Sequence, residues 1–194
     1  PTGQVIDGGP NVVVGSNSAA VNTTQSTIVG SNSIATEKHS TLIGSGIRSG
    51  GAGNTIAGTG SFSPYSNVNI LGTYSTAGHY STAIGACVNT TCNPASGAIT
   101  STTANAVGDA SVAIGSMSQT PATNAVAIGY QAVAGNTNSV VLGAGTSTTR
   151  DNTVAVGGRQ IVQVAAGTQG TDAVNLDQLN SGMASALSQA NANT

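Results

Sequence analysis

Catalysis needs titratable or nucleophilic side chains that converge, and this chain has few to bring together. Its 194 residues include four Lys/Arg, six Asp/Glu and two His. The carboxylates are Asp7, Glu37, Asp109, Asp151, Asp172 and Asp177, scattered from one end to the other. His39 and His79 are forty residues apart and read as lone surface histidines, not as a shared metal site. The only lysine, Lys38, stands in no Gly-Lys-Ser/Thr run, so there is no phosphate-binding loop. Gly44-Ser45-Gly46 and Gly143-Ala144-Gly145 read as turn glycines and do not complete the dinucleotide pattern G-x-G-x-x-G. No catalytic residue, metal site or cofactor is expected. Cys87 and Cys92 are the one unusual pair. Five extended residues span roughly 17 Å, far beyond the reach of a disulfide, so a bridge requires residues 88–91 to turn. Asn89, Thr90 and Thr91 permit such a turn. A small intrachain loop is the favoured reading and two free thiols the alternative.

The elements that would hold these residues must come from an unusual composition. Charged residues make up 5% of the chain and aromatic residues 3%, with no Trp. Gly, Ser, Thr and Asn number 27, 23, 26 and 18, nearly half the chain, so a thick apolar core cannot form. The shortage of Lys and Arg removes the electrostatic footprint of a nucleic-acid binder. A net charge of −2 gives no charged tail. No apolar run approaches the roughly 18–20 residues of a membrane helix, and residues 1–30 do not read as a signal peptide. Such a chain is either disordered or built of stacked repeats, and periodicity decides between them.

A five-residue pattern recurs: a small polar residue, a variable one, two apolar residues, then Gly. It ends at Gly15, Gly30, Gly44, Gly58, Gly72, Gly85, Gly115, Gly129, Gly143 and Gly157. The steps are 15, 14, 14, 14, 13, 30, 14, 14 and 14 residues. The step of 30 divides if Ser96-Gly97-Ala98-Ile99-Thr100 is a degenerate copy, which predicts eleven coils. β-Branched and small residues ending in Gly read as a short strand entering a turn. Both apolar residues of each pair need burial, one inside the coil and one against a second surface, for which a partner chain is the obvious candidate. A second strand follows, with small residues at +3 and +5 from Gly, such as Ser18 and Ala20 or Ala132 and Ala134. Two short strands and two turns make one coil of a parallel β-roll, and eleven coils a rod on the order of 50 Å long. Head-core candidates are Ile114, Val126, Ile128, Leu142 and Val156. The calcium-binding nonapeptide of other β-rolls needs an Asp in every repeat, which this repeat lacks.

After Gly157 the pattern breaks. Thr171 or Asp172 can cap a helix. Leu176, Leu179, Met183, Ala186 and Ala190 then follow at steps of 3, 4, 3 and 4, an a/d seam that predicts a short coiled coil. A single capping helix folded back on the last coil is the alternative.

Ser111-Val112-Ala113-Ile114-Gly115 and Ala125-Val126-Ala127-Ile128-Gly129 resemble the head repeat of YadA-like trimeric autotransporter adhesins. Residues 159–168 and 171–179 resemble the neck of that family. The resemblance implies an all-β, left-handed parallel β-roll (a β-solenoid of about 14-residue coils) that is a homotrimer. The head would span 1–158, the neck 159–175 and the start of a coiled-coil stalk 176–194. Arg159, Ile161, Val162, Val164, Asp172, Val174, Leu176, Leu179 and Met183 would make the neck and trimer contacts. Arg159 would either pair with Asp172 or Asp177 of a neighbouring chain or stay solvated. The family implies a passenger on the bacterial surface, held by an outer-membrane barrel absent from this sequence. It also implies attachment to host cells or to matrix such as collagen, fibronectin or laminin, with a role in virulence.

Other readings compete with a non-enzymatic adhesin head. A spike that binds or processes polysaccharide would need clustered carboxylates. An ice-binding solenoid would need Thr-x-Thr in every coil, but Thr100/Thr102 and Thr146/Thr148 do not recur in register.

Overall fold

The computed structural model describes residues 5–6, 8–86 and 104–193. Cys87, Cys92 and the degenerate copy 96–100 lie outside the described residues. Two compact units form, Pro1–Gly157 and Gly158–Thr194.

Unit one is a parallel β-solenoid with seventeen short strands among the described residues. In chain order they are β1 (Val5–Ile6), β2 (Val12–Val14), β3 (Ala19–Ala20), β4 (Thr27–Val29), β5 (Ile34–Ala35) and β6 (Thr41–Ser45). Then follow β7 (Arg48–Ser49), β8 (Thr55–Thr59), β9 (Phe62–Ser63), β10 (Asn69–Leu71), β11 (Thr76–Ala77) and β12 (Thr82–Ile84). The last are β13 (Asn105–Ala106), β14 (Val112–Ile114), β15 (Val126–Ile128), β16 (Val140–Leu142) and β17 (Val154–Ala155). Even-numbered strands from β2 to β14, then β15, β16 and β17, stack into one ten-stranded sheet. Odd-numbered strands from β1 to β13 form the opposite, seven-stranded sheet. Single bridges link Asn105 to Gln119, Gln119 to Val133 and Val133 to Ser147, continuing that second sheet.

Register follows the repeat. Ile28 pairs with Leu42, Leu42 with Ile56, and Ile70 with Ala83. β12 pairs directly with β14, Thr82 opposite Val112. The thirty-residue step is therefore one rung step in this sheet, and the sheet has ten rungs, not the expected eleven.

Two kinds of residue hold the rungs together. The first is the glycine that ends each strand. At Gly44 (φ 133°) an added Cβ would fall on the Gly58 carbonyl oxygen of the next rung, far inside contact distance, so only glycine allows this approach. The second is buried serine. Ser33 Oγ donates to the Gly44 carbonyl at 3.1 Å and accepts the Ile47 N–H at 3.2 Å. Ser75 Oγ does the same work with the Gly85 carbonyl and, from the rung before, Ser61 Oγ accepts the Ser75 N–H. A serine inside a dry coil is tolerable because it is bonded on both sides.

Asparagine explains the corners. Asn17 and Asn32 at one corner, and Asn67, Asn124, Asn138 and Asn152 at the other, sit at φ 53° to 58°. Among non-glycine residues, Asn accepts this left-handed conformation most readily.

The interior face of the ten-stranded sheet is Val13, Ile28, Leu42, Ile56, Ile70, Ala83, Ala113, Ala127 and Val141, all at most 9% exposed. It packs against small residues of the other sheet, among them Ala20, Ala35, Ala77, Ala106 and Ala134. The expected small residues at +3 and +5 are buried. The head-core expectation is corrected. Ile114, Val126, Ile128, Leu142 and Val156 point outward, and none of them is buried in the single chain. Strand alternation turns the residue two before each glycine inward, here Ala113, Ala127 and Val141, and sends its neighbours on either side to the outer face.

Unit two has an extended, turned segment and then α1 (Leu176–Ala192), none of whose residues is buried. Asn175 caps the helix, not Thr171 or Asp172. Its side chain accepts the Gln178 N–H, while the Gln178 side chain accepts the Asn175 N–H, a reciprocal capping box. The reason is positional: Gln178 lies three residues after Asn175, whereas Asp172 is engaged elsewhere.

Candidate functional site

The outer face of the ten-stranded sheet carries one apolar residue per rung immediately before each glycine. The column runs Val14, Val29, Ile43, Ala57, Leu71, Ile84, Ile114, Ile128, Leu142 and Val156. In the single chain, Val14 is 54% exposed, Ile43 51%, Leu71 58% and Ile128 40%. The parallel register sets these side chains directly over one another. Two residues earlier on the same face come Val112, Val126, Val140 and Val154. This stripe extends through all ten rungs, whereas lone exposed apolar residues are the norm on soluble chains.

Unit two shows the same property. Ile161, Val162, Val174, Leu176, Leu179 and Met183 are each more than half exposed, Val164 is half-buried, and Arg159 is exposed. Leu187, 64% exposed, joins this seam and was not anticipated. Its position four residues after Met183 was the available signal. Ile161, Val164, Val174 and Leu176 line an open hollow of about 360 Å³ with Gln163, Asn175 and Asp177.

The turn before the helix is pinned by polar contacts. Asp172 Oδ2 accepts the Thr168 and Gln169 N–H groups, each at 2.9 Å. Those amides, Thr168's first, hold the Asp172 carboxyl below its usual range. Gln178 bonds Gly167 twice, accepting its N–H at 2.8 Å and donating to its carbonyl at 2.9 Å. Asn175 Nδ2 donates to the Val164 carbonyl at 3.2 Å. The cap and the turn are thus one device. It fixes the direction in which the helix leaves while leaving its apolar seam uncovered.

Among the described residues, the titratable side chains form no larger cluster. His39 Nε2 meets Gln25 Oε1 at 2.6 Å on an exposed corner. His79 lies at the same edge three rungs on and stacks with Tyr65. Among the described residues, no three His, Cys, Asp or Glu side chains gather where a metal could bind.

Comparison with known proteins accords with this geometry. Residues 160–194 match the coiled stalk of trimeric autotransporter adhesin. Residues 102–132 and 134–159 match two copies of the YadA head domain repeat. The crystal structure of the collagen-binding domain of the Yersinia adhesin YadA is similar to this chain. The two share 26% identity and a TM-score of 0.70, over 84% of this chain and 86% of that one. No curated protein sequence matches the chain.

Proposed function

Because this chain is a YadA-like adhesin, we propose that it is a homotrimeric head, neck and stalk start that attaches a bacterium to host matrix or host cells. The family is one of adhesins, not of enzymes. The observation that carries the reading is the unbroken apolar column on the ten-stranded sheet. Left in water it costs free energy at every rung, and a second and third copy of the same face would remove it. The exposed seam of α1 has the same need. Residues 1–158 are then the head, 159–175 the neck and 176–194 the first turns of the stalk. Ile161, Val162, Val164, Val174, Leu176, Leu179 and Met183 would pack between chains, with Arg159 reaching Asp172 or Asp177 of a neighbour.

Function would be display. A trimer presents three copies of each outward surface, and weak sites act together through effective concentration. Collagen is the first ligand to try, since the similar Yersinia domain is collagen-binding. Fibronectin and laminin are further candidates. The passenger would face outward from the outer membrane and contribute to virulence. Among the described residues, no helix is long and apolar enough to cross a membrane. Light scattering followed by solid-phase binding to the three matrix proteins tests the proposal. A stable monomer, or a trimer that binds no better than a dissociated variant, would refute it.

A further inference from the structure

Aromatic residues are scarce here, and their placement is uneven. The chain has four Tyr and one Phe, and Phe62, Tyr65, Tyr74 and Tyr80 all fall between positions 62 and 80. Two of them share one corner of the coil with His79. Tyr65 and His79 meet edge to face, centroids 4.8 Å apart at 62°. His79 and Tyr80 follow at 6.3 Å and 40°. Tyr80 remains 70% exposed and Tyr65 36%.

Tyr80 sits at φ 56°, the left-handed corner conformation that other rungs give to Gln25, His39, Asn67, Ala110 and Asn124. The rings are also held in place. Ser66 N–H donates to His79 Nδ1 at 3.2 Å, and Tyr80 N–H donates to the Ser66 carbonyl at 3.2 Å. An Nδ1 that accepts puts the imidazole proton on Nε2, so His79 offers one donor beside the rings. The preceding rung has Gly50, Gly51, Ala52 and Gly53 at this corner, so no long side chain shields Tyr65 from that direction.

We propose that Tyr65, His79 and Tyr80 form a binding site for a neutral glycan. A pyranose ring lays its C–H face on Tyr80, and its hydroxyls meet His79 Nε2–H and the phenolic hydroxyls. Rigid aromatic faces ringed by a few polar groups are the usual make-up of a small-ligand site, and tyrosine orders only two torsions on binding. Sugar hydroxyls donate and accept alike, as do the neutral Tyr, Ser and Asn groups around this corner. An extended or triple-helical peptide offers chiefly carbonyls and would use few of the acceptors. One carboxylate borders the corner: Asp109 stands opposite His79 on the next rung, where it can accept sugar hydroxyls and disfavours anionic sugars, while Glu37 and Lys38 lie two rungs from Tyr65, about 10 Å along the stack.

This inference rests on the head being a binding surface, yet the two can fail separately. The full chain is applied to an array of neutral and sialylated glycans, with a triple-helical Gly-Pro-Pro peptide and collagen alongside. The variants are Tyr80→Asn, His79→Ala and, as a control on another edge, Tyr130→Ala. Retention of neutral glycans is expected, with at least a tenfold loss in Tyr80→Asn and no change in Tyr130→Ala. Tyr80→Asn should also melt no lower than the parent, because Asn suits the corner better. The site is refuted if no neutral glycan is retained, or if Tyr80→Asn binds like the parent. It is equally refuted if that variant changes oligomeric mass, which would put Tyr80 between chains. If the triple-helical peptide binds through Tyr80 and glycans do not, the surface is a protein contact. A head that holds collagen but no sugar overturns this inference alone.

Discussion

Ile128 offers the sharpest test of the outer apolar column. In the single chain it is 40% exposed and makes no contribution to the coil interior, where Ala127 takes the inward place. Full burial of an isoleucine is worth about 1.5–3 kcal/mol, so covering what remains exposed is worth about 1 kcal/mol per chain. Ile128→Ala removes that gain three times in a trimer, about 2–4 kcal/mol, or roughly thirty- to several-hundredfold in the association constant. Ile128→Asp is harsher. It would bring three carboxylates to one level of the interface, each losing hydration at several kcal/mol. Sedimentation equilibrium over a concentration series reads both, with circular dichroism checking that the coil survives. Val133→Ala, on the outward face of the opposite sheet, is the control and should leave assembly unchanged. The reasoning fails if Ile128→Asp assembles like the parent, or if Val133→Ala weakens assembly as much as Ile128→Ala does.

Three further outcomes follow from the same geometry. Gly44→Ala should lower stability by about 2 kcal/mol or more, since its Cβ must push the Gly58 carbonyl and with it β8 away; a thermal melt matching the parent would count against the rung-contact argument. Leu42→Ala, at a fully buried position, should cost about 2–5 kcal/mol in chemical denaturation, whereas Ile43→Ala should cost the isolated coil far less. The Asp172 carboxyl is held below its usual range when folded, so its contribution is complete above the unfolded carboxylate value of about 4 and fades as pH falls through the folded value. The Thr168 and Gln169 amide resonances should move together in that acid window and stay still in Asp172→Asn; movement that persists in the variant would assign the step to another group.

The strand spacing was legible because the glycine that ends each strand is sterically required, and a steric requirement leaves a residue that recurs. Which apolar residue faces inward was not legible. The pattern sets two apolar residues side by side, and Ile114 and Ile128 were the core candidates. The inward place instead belongs to the residue two before each glycine, Leu42 or Ile56 in some rungs and Ala113 or Ala127 in others. Ten rungs in place of eleven has a related cause: a weak copy at 96–100 fits the spacing, but only strand pairing shows that Thr82 lies beside Val112. In unit two the a/d seam was readable from Leu176, Leu179 and Met183. The cap was missed because Thr171 and Asp172 are equally good capping residues by type, and the pairing of Asn175 with Gln178 decides. The aromatic corner was invisible, since Tyr65 and Tyr80 become neighbours only when two rungs stack.

The glycine column also bears on heredity. Many coils are matched to the next by backbone approach at the glycine and several by a serine tie, so coils of the same kind can follow one another. Duplicating or deleting one repeat in the gene would leave every remaining level correctly seated. Such an event would move the tip by about 4.8 Å, a single strand spacing. The length of the stack can therefore be adjusted in small increments by recombination alone, without reinventing the surface of the other rungs.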